Sequence, residues 1–116
     1  PNSKKTVRSH QMKESQIQTA IEKVLRIYEK NGACVFIKNN TGAHKTDHGA
    51  FIRFGKVGSS DFLLFLQGGQ TVFLEVKTPK GRQNDNQKDF QRRVEQLGHS
   101  YFIVHSAREV WQILEQ

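Results

Sequence analysis

Apolar residues recur at three- and four-residue spacing through the first third of the chain. Ile17, Ala20, Ile21, Val24, Leu25 and Tyr28 fall on one stripe, which predicts an amphipathic helix from residue 14 to about 30. Asn31-Gly32 closes it, with the glycine free to take a left-handed cap. The period then changes. Residues 33–38 (ACVFIK) read as a strand, and so do 61–66 and 71–78, the last two joined as a hairpin around Gly68-Gly69. FLLFL (62–66) is apolar on both faces, which predicts a central, covered pair of strands. A second helix begins at Asn84, with Phe90, Val94 and Leu97 inward and Gly98 as its stop. YFIV (101–104) is another buried strand. Ser106 with Glu109 has the form of a capping box for a last helix carrying Val110, Trp111 and Leu114.

Between 39 and 60 the pattern is lost. That connection is rich in Gly, His and basic residues, with one short strand expected near 51–54. A connection of this length inside a compact domain usually has a function. The expected order is α-β-(β)-β-β-α-β-α, a single α/β domain in which helices cover a mixed sheet. Residues 1–13 are polar and basic without periodicity and read as a flexible arm ahead of the domain at 14–116.

Composition narrows the setting. The 116 residues suffice for one core. No run approaches the ~20 apolar residues that span a bilayer, and no apolar segment follows the basic N-terminal residues, so neither a membrane partner nor a secretory signal is expected. The lone Cys34 sits in an apolar run and reads as a small buried residue; one cysteine and no possible intrachain disulfide suit a reducing, cytoplasmic location. A net charge of +7 points to a polyanionic partner.

The chemistry-bearing stretch is TVFLEVKTPKG, 71–81. Strand alternation puts Glu75 and Lys77 on the face of Phe73, away from Val72, Leu74 and Val76. The simplest reading of such an E-x-K is a cross-strand ion pair. Three features oppose it: the strand is too apolar for a sheet edge, Asp61 opens the neighbouring strand, and Glu14 lies along the inward stripe of the first helix. Asp61 reaches the face of Glu75 only if the turn holds an odd number of residues, so a three-residue turn, 67–69, or an equivalent bulge is expected. Two neighbouring buried carboxylates repel unless a cation neutralises them. Mg²⁺ or Mn²⁺ is the natural choice, with Asp61, Glu75 and the carbonyl of Val76 as ligands and Glu14 joining directly or through water. Lys77 would then orient a nucleophile and stabilise developing negative charge at a phosphate.

These residues resemble the PD-(D/E)XK nuclease signature and, more narrowly, a stand-alone VRR-NUC domain. The matching motifs are Glu14-Ser15-Gln16-Ile17-Gln18, Gly58-Ser59-Ser60-Asp61, Glu75-Val76-Lys77, Gly81 and Gln87-Lys88-Asp89-Phe90, in that order, over residues 14–104. The chain departs from the signature at Ser60, where the family has proline, a residue that mainly fixes the backbone. The resemblance implies a restriction-endonuclease-like core. It implies Mg²⁺- or Mn²⁺-dependent hydrolysis of branched DNA such as Holliday junctions or flaps, a homodimer like the junction resolvases, and a phage or bacterial intracellular origin. Glu14, Asp61, Glu75, Lys77 and Gln87 are the candidate catalytic residues.

Gln87 has a second reading, because Asn84-x-x-Gln87 is also a capping box. Basic residues flank the acids in sequence: Lys38, Lys45, Arg53 and Lys56 before them, Lys80 and Arg82 after. Gathered at one cleft they would neutralise phosphates without reading bases; Thr41, Asn40 and Ser60 are candidates to donate to a phosphate. His44 and His48 have a zinc-like spacing, but Gly42 and Gly49 argue against a helix that would hold both on one face, so a DNA-contacting loop is preferred. The rival class is a DNA-binding module that keeps the acids as an ion-pair network and cuts nothing.

Overall fold

The computed structural model describes residues 12–39 and 41–116. Helix α1 spans Glu14–Lys30 and leads into β1 (Cys34–Lys38), a short ribbon of β2 (Gly42–Lys45) and β3 (Phe51–Phe54), and the hairpin β4 (Phe62–Leu66) and β5 (Gln70–Val76). Helix α2 (Asp85–Gln96), β6 (Ser100–Val104) and α3 (Ala107–Leu114) complete it. The protein is thus mixed α/β, with a central sheet of order β1-β4-β5-β6 in which β1, β4 and β5 run antiparallel and β6 pairs parallel to β5. The parallel pair requires a crossover, and α2 supplies it.

The period-2 pattern of β5 sorts the two sheet faces. Val72, Leu74 and Val76 enter one core with Ile17, Ile21 and Leu25 of α1 and Val110 of α3. Phe73 enters a second, smaller core with Val94 and Tyr101, packed by Leu63 and Phe90. Cys34 is buried, as its apolar run implies, and burial pushes its thiol pKa up.

Several expectations need correction. The 39–60 connection holds two strands rather than one, because β2 (GAHK) carries no apolar alternation to announce it. Leu97 is 75% exposed and not part of the inward face of α2; it already occupies the cap position, where the chain turns at Gly98. Ser106 caps α3 by accepting from Glu109 N, but the Glu109 carboxylate accepts from His105 N instead of closing the box on Ser106. The hairpin is central but incompletely covered: Phe65, with Val35 and Ile37 of the adjoining β1, remains exposed. The expected basic arm at 1–13 lies outside the described residues except for Met12 and Lys13, as does Asn40.

Candidate active site

The β4–β5 turn decides the site. Leu66 pairs with Gln70, so three residues, Gln67, Gly68 and Gly69, form the turn, and both glycines have positive φ (83° and 78°). The odd count gives the parity expected from sequence. At the other end of the hairpin Phe62 pairs with Leu74, and Asp61 N also donates to Leu74 O at 3.0 Å. Two consecutive residues therefore face one, the arrangement of a bulge. The bulge turns the Asp61 carboxylate over the end of β5, where Oδ2 accepts from Val76 N at 2.7 Å and Oδ1 accepts from Gln18 Nε2 at 3.2 Å.

Glu75 is 1% exposed, so its carboxylate must find partners inside the fold. Tyr101 OH donates to Oε1 at 3.1 Å and Gln87 Nε2 donates to Oε2 at 3.0 Å. Tyr101 lies opposite Phe73 in the parallel β5–β6 pair and so projects from the same face as Glu75. Its hydroxyl is held in turn by Gln83 Nε2 at 3.3 Å. Gln87 combines the two roles that its spacing allowed. Its Oε1 accepts from Asn84 N at 2.9 Å to cap α2, while its Nε2 holds Glu75.

Electrostatics set this end of the sheet apart. Desolvation first, then the negative charge of Asp61, pushes the Glu75 pKa from an ordinary 4.5 to about 8. Desolvation also raises Asp61, against the lowering effect of its bond from Val76 N and of the Lys77 and Lys38 charges. Tyr101 is raised by burial and by the charge of Glu75. Lys77 acts on both acids as a nearby cation, but among the described residues it forms no ion pair with either. A simple Glu75–Lys77 salt bridge is therefore not what this strand builds.

The other sequence candidates are spread around this centre. Glu14 is half-buried on α1, one turn before Gln18 and hence on the same side of the helix. The first turn of α1 faces Thr78 and Lys80, just past Lys77, across a cavity of about 550 Å³. Among the described residues, no three or more His, Cys, Asp or Glu side chains gather closely enough to hold a metal, so Glu14 does not join Asp61 and Glu75 in a three-acid cluster. Lys38 ends β1 and pairs with Glu22 at 3.5 Å. Thr41, Lys45, Arg53, Lys56, Lys80 and Arg82 are exposed. Ser60 is the exception: at 1% exposed, its hydroxyl donates to Phe62 O at 3.1 Å, so it secures the turn and offers nothing to a phosphate.

Gly58 fixes the approach to Asp61. It has φ +81°, and an added Cβ would lie 2.4 Å from Asn86 O, so only glycine lets this loop touch the first turn of α2. Asn39 completes the frame: its N–H donates to Asp61 O at 2.7 Å and its Nδ2 to Ser59 Oγ (2.7 Å) and Ser60 O (2.8 Å). Sequence reasoning missed Gln18, Asn39, Gln83 and Tyr101 as site residues. Tyr101 carried a faint signal, as a hydroxyl-bearing residue inside an otherwise apolar run, YFIV.

A solved structure described as a VRR-NUC domain matches 89% of this chain and 95% of its own, with a TM-score of 0.61 at 22% sequence identity. The chain has the VRR-NUC fold. No family model and no curated protein matches the sequence, so the likeness is one of backbone architecture. Within the VRR-NUC fold the bulged Asp61, the Glu75 strand and Lys77 stand together at one end of the sheet, and α2 closes over them through Gln87. No helix among the described residues is long and apolar enough to cross a membrane.

Proposed function

We propose that this chain is a Mg²⁺- or Mn²⁺-dependent deoxyribonuclease that hydrolyses phosphodiester bonds in branched DNA, Holliday junctions or flaps among them. The observation that carries the reading is the pair of acids at the sheet end. Glu75 and Asp61 both have raised pKa values, lie close enough to act on each other, and have a cation beside them that is not tied to either. Desolvating two carboxylates side by side is unfavourable unless a site needs their charge.

The donor set fits a hard divalent cation. It consists of oxygens alone, and Mg²⁺ binds through one or two carboxylates while keeping several waters. Asp61, Glu75 and the Val76 carbonyl would hold the ion, with Glu14 reaching it through water. Such a cation supplies Lewis acidity to the scissile phosphate and a more acidic bound water. The chain's own residues do the rest. Tyr101 and Gln87 keep the Glu75 carboxylate oriented and Gln18 does the same for Asp61. Lys77 places a mobile positive charge where negative charge develops. Lys38, Lys56, Lys80 and Arg82, with Lys45 and Arg53 on the ribbon and Thr41 just before it, take flanking phosphates without reading sequence.

A homodimer belongs to the same proposal. The uncovered sheet face with Val35, Ile37 and Phe65 is suited to a second copy, and a twofold protein would match a pseudo-twofold junction. The test is a panel of labelled duplex, single-stranded, flapped and four-way DNAs with Mg²⁺, Mn²⁺ or EDTA. Cleavage should require the metal, and Lys77→Ala should abolish it while DNA binding persists. Cleavage by Lys77→Ala would refute the mechanism. Chelator-insensitive binding with no nicking of any DNA would favour a non-catalytic binding module.

A further inference from the structure

The β2–β3 ribbon is the part of the molecule that this mechanism uses least. Among the described residues no helix or other strand packs against it. A lone two-stranded ribbon is marginal in water, yet this one carries Phe51, Ile52 and Phe54 in the open. Its cross-strand register, Gly42↔Phe54, Ala43↔Arg53, His44↔Ile52 and Lys45↔Phe51, divides it into two faces. On one, the Phe54 ring lies over Gly42, where an added Cβ would be 2.8 Å from the ring, and His44 sits 6.3 Å from Phe54 between centroids. That face covers part of its own apolar surface. On the other stand Lys45, Phe51 and Arg53, with the Arg53 guanidinium 5.7 Å from the Phe51 ring centroid.

Phe51 is 66% exposed, so much of its ring is open to a planar partner even with Arg53 beside it. The cations on this face disfavour a second copy seated on the same face, because Lys45 and Arg53 would meet their own counterparts. They favour a polyanion that also presents flat rings. The ribbon's root is tied to the site by Asn39, which bonds to Asp61, Ser59 and Ser60. The ribbon that would hold nucleic acid is therefore anchored at its root to the loop that carries Asp61.

We propose that the Lys45–Phe51–Arg53 face holds an unpaired base by stacking it on Phe51 while Lys45 and Arg53 take the adjoining phosphates. Bases stacked inside a duplex offer no free face, so this device selects DNA with an unpaired nucleotide beside a duplex. The inference rests on the nuclease reading for what happens next at Asp61 and Glu75, but the binding step is separable.

The test uses a duplex carrying one unpaired 2-aminopurine, and its fully paired counterpart, bound in EDTA by the wild-type chain, Phe51→Leu and Phe51→Tyr. Stacking on an aromatic side chain is sequence-tolerant and worth about tenfold in affinity. Wild type and Phe51→Tyr should quench the 2-aminopurine and prefer the unpaired DNA. Phe51→Leu should lose about tenfold in affinity for that DNA and little for the duplex. Equal quenching by all three overturns the proposal, as does a Phe51→Leu chain that changes sedimentation state instead of DNA preference, which would make this face an interface between copies. A wild-type chain that shows the Phe51-dependent quenching but cleaves no DNA with Mg²⁺ or Mn²⁺ supports the stacking and overturns the nuclease reading alone. A wild-type chain that binds no DNA overturns the nuclease reading and this inference together.

Discussion

The two faces of β5 use the same seven-residue strand for opposite purposes. Toward α1 and α3 it presents Val72, Leu74 and Val76, all buried among apolar side chains. Toward α2 it presents Phe73 and then Glu75, whose two oxygens accept from Tyr101 and Gln87. One face gains stability by removing apolar area from water. The other places a carboxylate where burial and a neighbouring acid work against its charge. The lesson is that a strand's alternation can assign folding to one parity and chemistry to the other, one residue apart.

The sharpest way to break this comparison is to exchange the effects. Glu75→Gln should lower metal-dependent cleavage by about a thousandfold or more, roughly 4 kcal/mol of barrier, while metal-free stability in urea changes by no more than about 1 kcal/mol. Leu74→Ala, one residue away, should do the reverse. It should cost about 2–5 kcal/mol of stability and leave cleavage within a few-fold at temperatures where the chain stays folded. If Glu75→Gln unfolds the protein as Leu74→Ala does, the division of labour is wrong.

Acidity offers a third measurement. Glu75 has a folded pKa near 8, raised from about 4.5, so the folded state binds the extra proton across that window. Its contribution to metal-free stability is full below about 4.5 and is lost as pH rises through about 8. Urea midpoints should therefore fall from pH 5 to pH 9 by the equivalent of on the order of 2 kcal/mol, and saturating Mg²⁺ or Mn²⁺ should flatten the slope. A metal-free midpoint that rises over this range would contradict the raised pKa. The smallest effect belongs to Tyr101→Phe. Losing that donor removes an influence that lowers the Glu75 pKa, so the pH profile of cleavage should move to higher pH, with about a tenfold loss at neutral pH. A merely structural tyrosine would not move the profile.

Much of this arrangement was legible in the chain itself. The helix from 14 to 30 and the hairpin parity follow from local periods and from one turn, Gln67-Gly68-Gly69, because those signals lie within a few residues of what they determine. Tyr101 was hidden for a different reason. Its meeting with Glu75 depends on a parallel pairing across 26 residues, and nothing local fixes that register. The ribbon strand β2 was hidden because it is exposed on both faces, so no burial pattern marked it. Ser60 misled because a serine in a loop before an acid looks like a ligand for phosphate, whereas its backbone and hydroxyl belong to the bulge. Gln18 stands next to the buried Ile17, and whether such a flanking side chain bonds to Asp61 is decided only when α1 docks on the sheet.

The bonds of Asn39 have a further consequence. The chain leaves the core at this asparagine and returns at Ser59 to Asp61, and the same side chain and backbone join the two ends. An excursion closed at its base is mechanically insulated from the core. Lengthening the ribbon adds only slowly growing closure entropy, and exchanging residues 42–54 alone leaves Gly58 against α2 and the bonds of Asp61 in place. The ribbon behaves as a detachable head on a fixed blade: a lineage can alter what the domain grips without rebuilding the acid pair beneath it.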